Sequence, residues 1–201
     1  FQAGGLYTGD GQTPLTWWES NKAEALVATT MINGERTLVL SFRGSDGKDA
    51  GFQGQTFTGS GALAYYEALQ PLLKAVLHYV INSLGDPANA IQNIVVSGHS
   101  LGGTLADIFS AIGTADPALI GAQSFLDALA AVNASVSLNV VSVASAGIPS
   151  EFESTVGSNL ADYVSTTQGL ITGVTSPDFY HSINHGEDRV YFANSSDGGP
   201  G

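Results

Sequence analysis

Residues Asn93-Ile94-Val95-Val96-Ser97-Gly98-His99-Ser100-Leu101-Gly102-Gly103 constrain the fold of this chain more than any other stretch. Ile94-Val95-Val96 reads as a buried strand that runs into a Gly-x-Ser-x-Gly pentapeptide. Beyond it, Leu101, Leu105, Ile108, Phe109 and Ile112 recur at helical spacing. A strand and a helix joined in this way leave a sharp turn for Ser100, the pattern of a nucleophile elbow. Gly98 and Gly102 flank the serine because a side chain at either position would collide with the neighbouring strand or helix. A helix starting at Leu101 turns its first N–H groups and its positive dipole end toward whatever the serine attacks.

The rest of the chain supplies a sheet to carry that turn. Ala25 to Ile32 and Arg36 to Phe42 are strand-like and are separated by Asn33-Gly34, which predicts a tight hairpin. The second strand runs into Phe42-Arg43-Gly44-Ser45. Next to an elbow, such a loop supplies one oxyanion-hole N–H, and the residue after the nucleophile supplies the other. Ser45 and Leu101 are the candidates for these roles. The glycine-rich residues 46–61, with Phe52 and Phe57, are the candidate lid or entrance loop.

Ala64, Leu69, Leu72, Leu73, Val76, Leu77 and Val80 predict one long helix over 61–84, ended by Gly85-Asp86-Pro87. Residues 115–132 read as a loop and a further helix, 138–146 as a buried strand, 151–175 as partly helical, and 179–185 as another strand. Strands that alternate with helices in this order predict one α/β domain with a mostly parallel central sheet flanked by helices. Trp17-Trp18 anchors the otherwise polar first residues.

Charge limits the partners. Acidic residues outnumber basic ones 18 to 6, for a formal charge of −12. This disfavours nucleic acid, whose phosphates need clustered Lys and Arg. There is no cysteine, and so neither a disulfide framework nor thiol chemistry. No apolar run reaches about 18 residues, the length needed to span a bilayer as a helix. Asp46 and Asp49 lack the spacing of an EF-hand loop, and no metal ligand is assigned.

An elbow serine needs a base and an acid that orients it. Asp188, on the loop after a late strand, is the first candidate for the acid, and Asp178 is the second. Four segments then resemble class 3 lipases in their order: Phe-Arg-Gly-Ser at 42–45, Val-Ser-Gly-His-Ser-Leu-Gly-Gly at 96–103, Ala-Ser-Ala-Gly-Ile-Pro at 144–149 and Ile-Asn-His-Gly-Glu-Asp-Arg-Val at 183–190. They look most like the secreted, calcium-dependent RTX-type lipases of Gram-negative bacteria. The resemblance covers roughly residues 36–193. It implies an α/β-hydrolase fold and triacylglycerol lipase or carboxylesterase activity. It also implies Ser100 as nucleophile, Asp188 as acid, and Ser45 and Leu101 at the oxyanion hole. An ester or lipid substrate, transient contact with a lipid interface and an extracellular setting follow from the same resemblance. No cofactor is required for the chemistry, and calcium enters as a structural ion.

The histidine departs from the family pattern. In that family the base lies beyond the acid, whereas the four histidines here are His78, His99, His181 and His185, all before Asp188. The resemblance therefore implies a single lipase-like domain over 1–201 that lacks its C-terminal part. Its base and the glycine-rich calcium repeats would then lie on a further segment, with His185 and His181 as the alternatives within the chain. Two other readings stand beside the lipase. One is a lipase-like binding module with impaired catalysis, and the other is a peptidase or thioesterase on the same scaffold.

Overall fold

The computed structural model describes residues 5–8, 14–15, 23–45, 59–112, 119–145 and 180–183. Its elements in chain order are β1 (Gly5–Thr8), β2 (Pro14–Leu15), β3 (Glu24–Ile32), β4 (Glu35–Phe42), α1 (Gly59–Ala68), α2 (Gln70–Ser83), β5 (Asn93–His99), α3 (Leu101–Ala111), α4 (Ala122–Ala131), β6 (Ser137–Val143) and β7 (Tyr180–Ile183). The strands form one mixed sheet in the order β2-β1-β3-β4-β5-β6-β7.

The sheet divides at β4. On one side β4, β5, β6 and β7 are parallel, and on the other β3, β1 and β2 join in antiparallel pairs. The described crossovers from β4 to β5 and from β5 to β6 run through helices, as parallel pairing requires, whereas β3 and β4 are joined by a two-residue turn and are antiparallel. The β3–β4 turn falls on Asn33-Gly34 as the sequence predicts. Both residues have positive φ, 53° and 85°, the conformation a two-residue hairpin demands.

Burial alternates along β4 from Leu38 onward and along β5 and β6, which gives these three strands one dry face. Leu38, Leu40 and Phe42 on β4, Ile94, Val96 and Gly98 on β5, and Leu138, Val140 and Ser142 on β6 are buried. Their neighbours Val39, Ser41, Val95, Ser97, Asn139 and Val141 are half-buried. Helix α3 packs on β4, β5 and β6, and α1 and α4 pack on α3. Three ring contacts tie these layers together. Phe42 meets Tyr66 and Phe109 at 6.4 Å between centroids, and Phe109 meets Phe125 at 5.5 Å.

The long helix expected over 61–84 is two helices. Pro71 stands in the first turn of α2, where its missing N–H leaves no helical bond broken, and the chain turns at Leu69 between α1 and α2. Leu69, Leu72, Leu73, Val76 and Val80 are buried as the spacing predicts, and the face differs only within α1. Ala62, Tyr65, Tyr66 and Leu69 face the core, whereas Ala64 is exposed. Helix α1 begins at Gly59, so the last residues of the expected 46–61 loop form a helical turn. Residues 46–58, with Phe52 and Phe57, lie outside the described residues, as do Trp17-Trp18 and 151–175. No helix among the described residues is long and apolar enough to cross a membrane.

Candidate active site

The four parallel strands end on one edge. His99 is in register with Val143, and Val143 with Ile183, while Phe42 lies level with Gly98. The chain segments that leave this edge are Arg43-Gly44-Ser45, Ser100 and Ala144-Ser145. In open α/β sheets this carboxyl edge is where ligands bind.

Ser100 links β5 to α3 with φ 56° and ψ −122°. Among non-glycine residues that region is strained, and it persists only where surrounding contacts over-determine it. Those contacts are present. The Ser100 N–H donates to the Val143 carbonyl at 3.0 Å, and the Ser100 carbonyl accepts the Thr104 N–H at 3.0 Å. The flanking glycines permit the turn for the reason the sequence suggests. A Cβ built on Gly98 would stand 2.0 Å from the Gly102 carbonyl oxygen, and one on Gly102 2.2 Å from the Phe42 carbonyl oxygen.

Ser100 is the N-cap residue of α3, yet its hydroxyl makes no capping hydrogen bond. A serine at this position ordinarily has extended backbone and turns its oxygen onto the helix's first N–H groups. The left-handed φ removes Ser100 from that geometry. The first helical bond is that of Thr104, so the N–H groups of Leu101, Gly102 and Gly103 precede the α3 ladder. Leu101 is buried, and no side chain among the described residues hydrogen-bonds the Ser100 hydroxyl.

The segment after β4 lies against the elbow. A Cβ on Gly44 would be 2.8 Å from the His99 carbonyl oxygen and 3.8 Å from Ser100 Cβ. Ser45 follows it and is exposed. This segment is pinned from β3: the Arg43 N–H donates to the Glu24 carbonyl at 3.0 Å, and Arg43 Nη1 donates to Glu24 Oε2 at 3.0 Å. Both side chains are buried. Sequence reasoning named Ser45 in this segment but missed Glu24, because nothing local ties it to Arg43.

A second polar group was also missed. Asp107 and Thr104 on α3 meet Ser145 just beyond β6, with all three buried. The Ser145 hydroxyl donates to Asp107 Oδ2, and Thr104 Oγ1 is 3.4 Å from Ser145 Oγ. The available signal was Thr104 and Asp107 at i and i+3 in a mostly apolar helix.

The candidate acids and bases are less completely placed. Asp188, Asp178 and His185 lie outside the described residues. The backbone of His181 belongs to β7, whose end at Ile183 is on the same edge as Ser100. His78 on α2 and His99 at the end of β5 are exposed. Among the described residues no group of three or more His, Asp or Glu side chains could hold a metal ion. No protein-family model, curated protein or solved structure matches the chain.

Proposed function

We propose that this chain is a serine carboxylic-ester hydrolase of the α/β-hydrolase kind, and within that class a lipase. The observation that carries the reading is the Ser100 turn. A serine held at φ 56° at the head of a helix, with its hydroxyl not used as a cap, has no structural return for its strain. Nucleophilic chemistry supplies one.

In this reading Ser100 Oγ attacks the ester carbonyl. The developing oxyanion accepts hydrogen bonds from the Leu101 and Ser45 N–H groups, helped by the α3 dipole. A histidine takes the serine proton and returns it to the leaving alcohol, with Asp188 orienting its imidazole, and water then releases the acyl group. The sequence resemblance to class 3 lipases supports the choice of lipid ester over peptide or thioester. It also carries the extracellular setting and a structural calcium.

One observation favours a second reading, a lipase-like binding module with impaired catalysis. Neither His78 nor His99, the two histidines whose side chains are described, is hydrogen-bonded to Ser100. Loss of a triad histidine lowers kcat by about 10⁶-fold in a comparable enzyme. Fluorophosphonate labelling of the 201-residue chain, run beside p-nitrophenyl ester hydrolysis, separates the two. Labelling with turnover, both abolished in Ser100→Ala, supports the hydrolase. A folded chain that neither labels nor turns over supports the binding module.

A further inference from the structure

Helix α3 is buried on almost every side, yet it carries a carboxylate and a hydroxyl inward. Asp107 and Thr104 both turn to Ser145, the second residue after β6. Isolated burial of a carboxylate is expensive, so this group of contacts has a reason to be held together. Its position suggests one.

The residues between Ser145 and the elbow form a short closed path. Ala144 has φ 49°, a left-handed conformation that only local contacts sustain in a non-glycine residue. Val143, before it, accepts the Ser100 N–H. The α3 backbone closes against the same segment, since a Cβ on Gly103 would lie 2.9 Å from the Val143 carbonyl oxygen and 3.2 Å from Ser145 Cα. Two strained residues, Ser100 and Ala144, therefore share one bracket. The Val143 carbonyl holds it at the top, and the Ser145–Asp107 hydrogen bond anchors it two helical turns into α3.

We propose that Ser145 and Asp107 are positioning residues for the elbow. By clamping the end of β6 to α3 they fix the Val143 carbonyl, which holds Ser100 in its left-handed turn, and with it the direction of the Leu101 N–H. The catalytic consequence rests on the hydrolase reading; the effect on the Ser100 turn does not. Ala-Ser-Ala-Gly-Ile-Pro thereby gains a role through its serine.

The test uses the whole chain and two readouts. Hydrogen exchange by mass spectrometry is followed over residues 98–104, with the β3–β4 hairpin as internal reference. Fluorophosphonate labelling and ester kcat and KM are measured on the same variants. Ser145→Ala should speed exchange in 98–104 about 10-fold relative to the hairpin, the equivalent of one hydrogen bond. It should slow labelling and kcat to a similar extent, with KM nearly unchanged. Asp107→Asn keeps an acceptor for the Ser145 hydroxyl and should restore most of the wild-type behaviour, whereas Asp107→Ala should not. Should Ser145→Ala fail to fold, Thr104→Val removes the neighbouring hydroxyl and should shift exchange in the same segment. Exchange that changes equally in the hairpin and in 98–104, or in neither, overturns the proposal. Exchange that changes locally in a chain whose wild type does not label leaves the clamp standing and sinks the hydrolase reading. Normal wild-type labelling with no local change in any variant does the reverse.

Discussion

Ser100 donates its backbone N–H to the carbonyl of Val143, and the residue after that carbonyl, Ala144, shares its left-handed backbone. Two neighbouring parallel strands thus leave the sheet through strained turns joined by one hydrogen bond. The elbow is therefore a property of β5, α3 and β6 together, and changes in any of the three should be felt at the serine.

Gly102→Ala should be among the most damaging single-methyl additions. The new Cβ would meet the Phe42 carbonyl oxygen at 2.2 Å, backbone against backbone, with no flexible side chain to yield. A loss of about 4 kcal/mol or more is expected, the range reserved for a named steric failure. Gly34→Ala is the comparison. Nothing lies within 4 Å of its Cβ, and only the φ of +85° opposes it, for about 1–2 kcal/mol. Urea denaturation of both variants checks the ranking.

Glu24→Ala should destabilise the chain by about 3–5 kcal/mol, because it leaves the buried Arg43 guanidinium without its carboxylate. Replacing both charges with apolar residues, as in Glu24→Leu with Arg43→Met, should recover most of that loss. Equal destabilisation in the single and double variants, measured by the same denaturation, would refute the pairing argument.

Burial holds the Tyr66 hydroxyl well above its ordinary value of 10.0, against a smaller opposing pull from its hydrogen bond with Gln70. The folded state keeps a proton that the unfolded chain loses above that pH. The stability tied to Tyr66 is therefore intact below pH 10.0 and falls as pH rises beyond it, by up to about 1.4 kcal/mol per pH unit. Tyr66→Phe should flatten this alkaline slope. It should also cost about 1–2 kcal/mol at neutral pH, since the Ile120 carbonyl loses the tyrosine as a donor and keeps only Gln70 Nε2 at 3.4 Å. Denaturation midpoints from pH 8 to 11 test both effects.

The chain's local chemistry was legible where one short stretch carries its own geometry. Asn33-Gly34 dictates a hairpin, and Gly98 and Gly102 dictate a close-packed elbow, because in each case the constraint lies within a few residues. Strands β4, β5 and β6 were legible as apolar runs for the same reason, although the alternation of buried and half-buried residues along them was not. What could not be read was long-range or stereochemical. Leucine spacing ran across Pro71 unbroken, since Leu69, Leu72 and Leu73 are buried on both sides of the junction. Glu24 and Arg43 meet only because β3 and β4 pair in register, and Ser145 meets Asp107 only because β6 docks beside β5. Asp188 was reached by motif order alone, and its position lies outside the described residues.

Ser100→Gly separates the strain at the elbow from its chemistry. Glycine tolerates the φ of 56° that serine endures, so the substitution should relieve backbone strain of about 1–3 kcal/mol. Part of that gain is offset by the greater freedom of glycine in the unfolded chain, about 0.4–1 kcal/mol. A net stabilisation of about 1 kcal/mol is the expected result, together with complete loss of fluorophosphonate labelling. Ser100→Ala should also lose labelling but gain no stability, because alanine suffers the same left-handed backbone as serine. A residue kept at a stability cost that a simpler one avoids points to a use for its side chain. If Ser100→Gly and Ser100→Ala unfold at the same denaturant concentration as the wild type, the strain is too small to carry that argument, and the case for Ser100 must rest on reactivity alone.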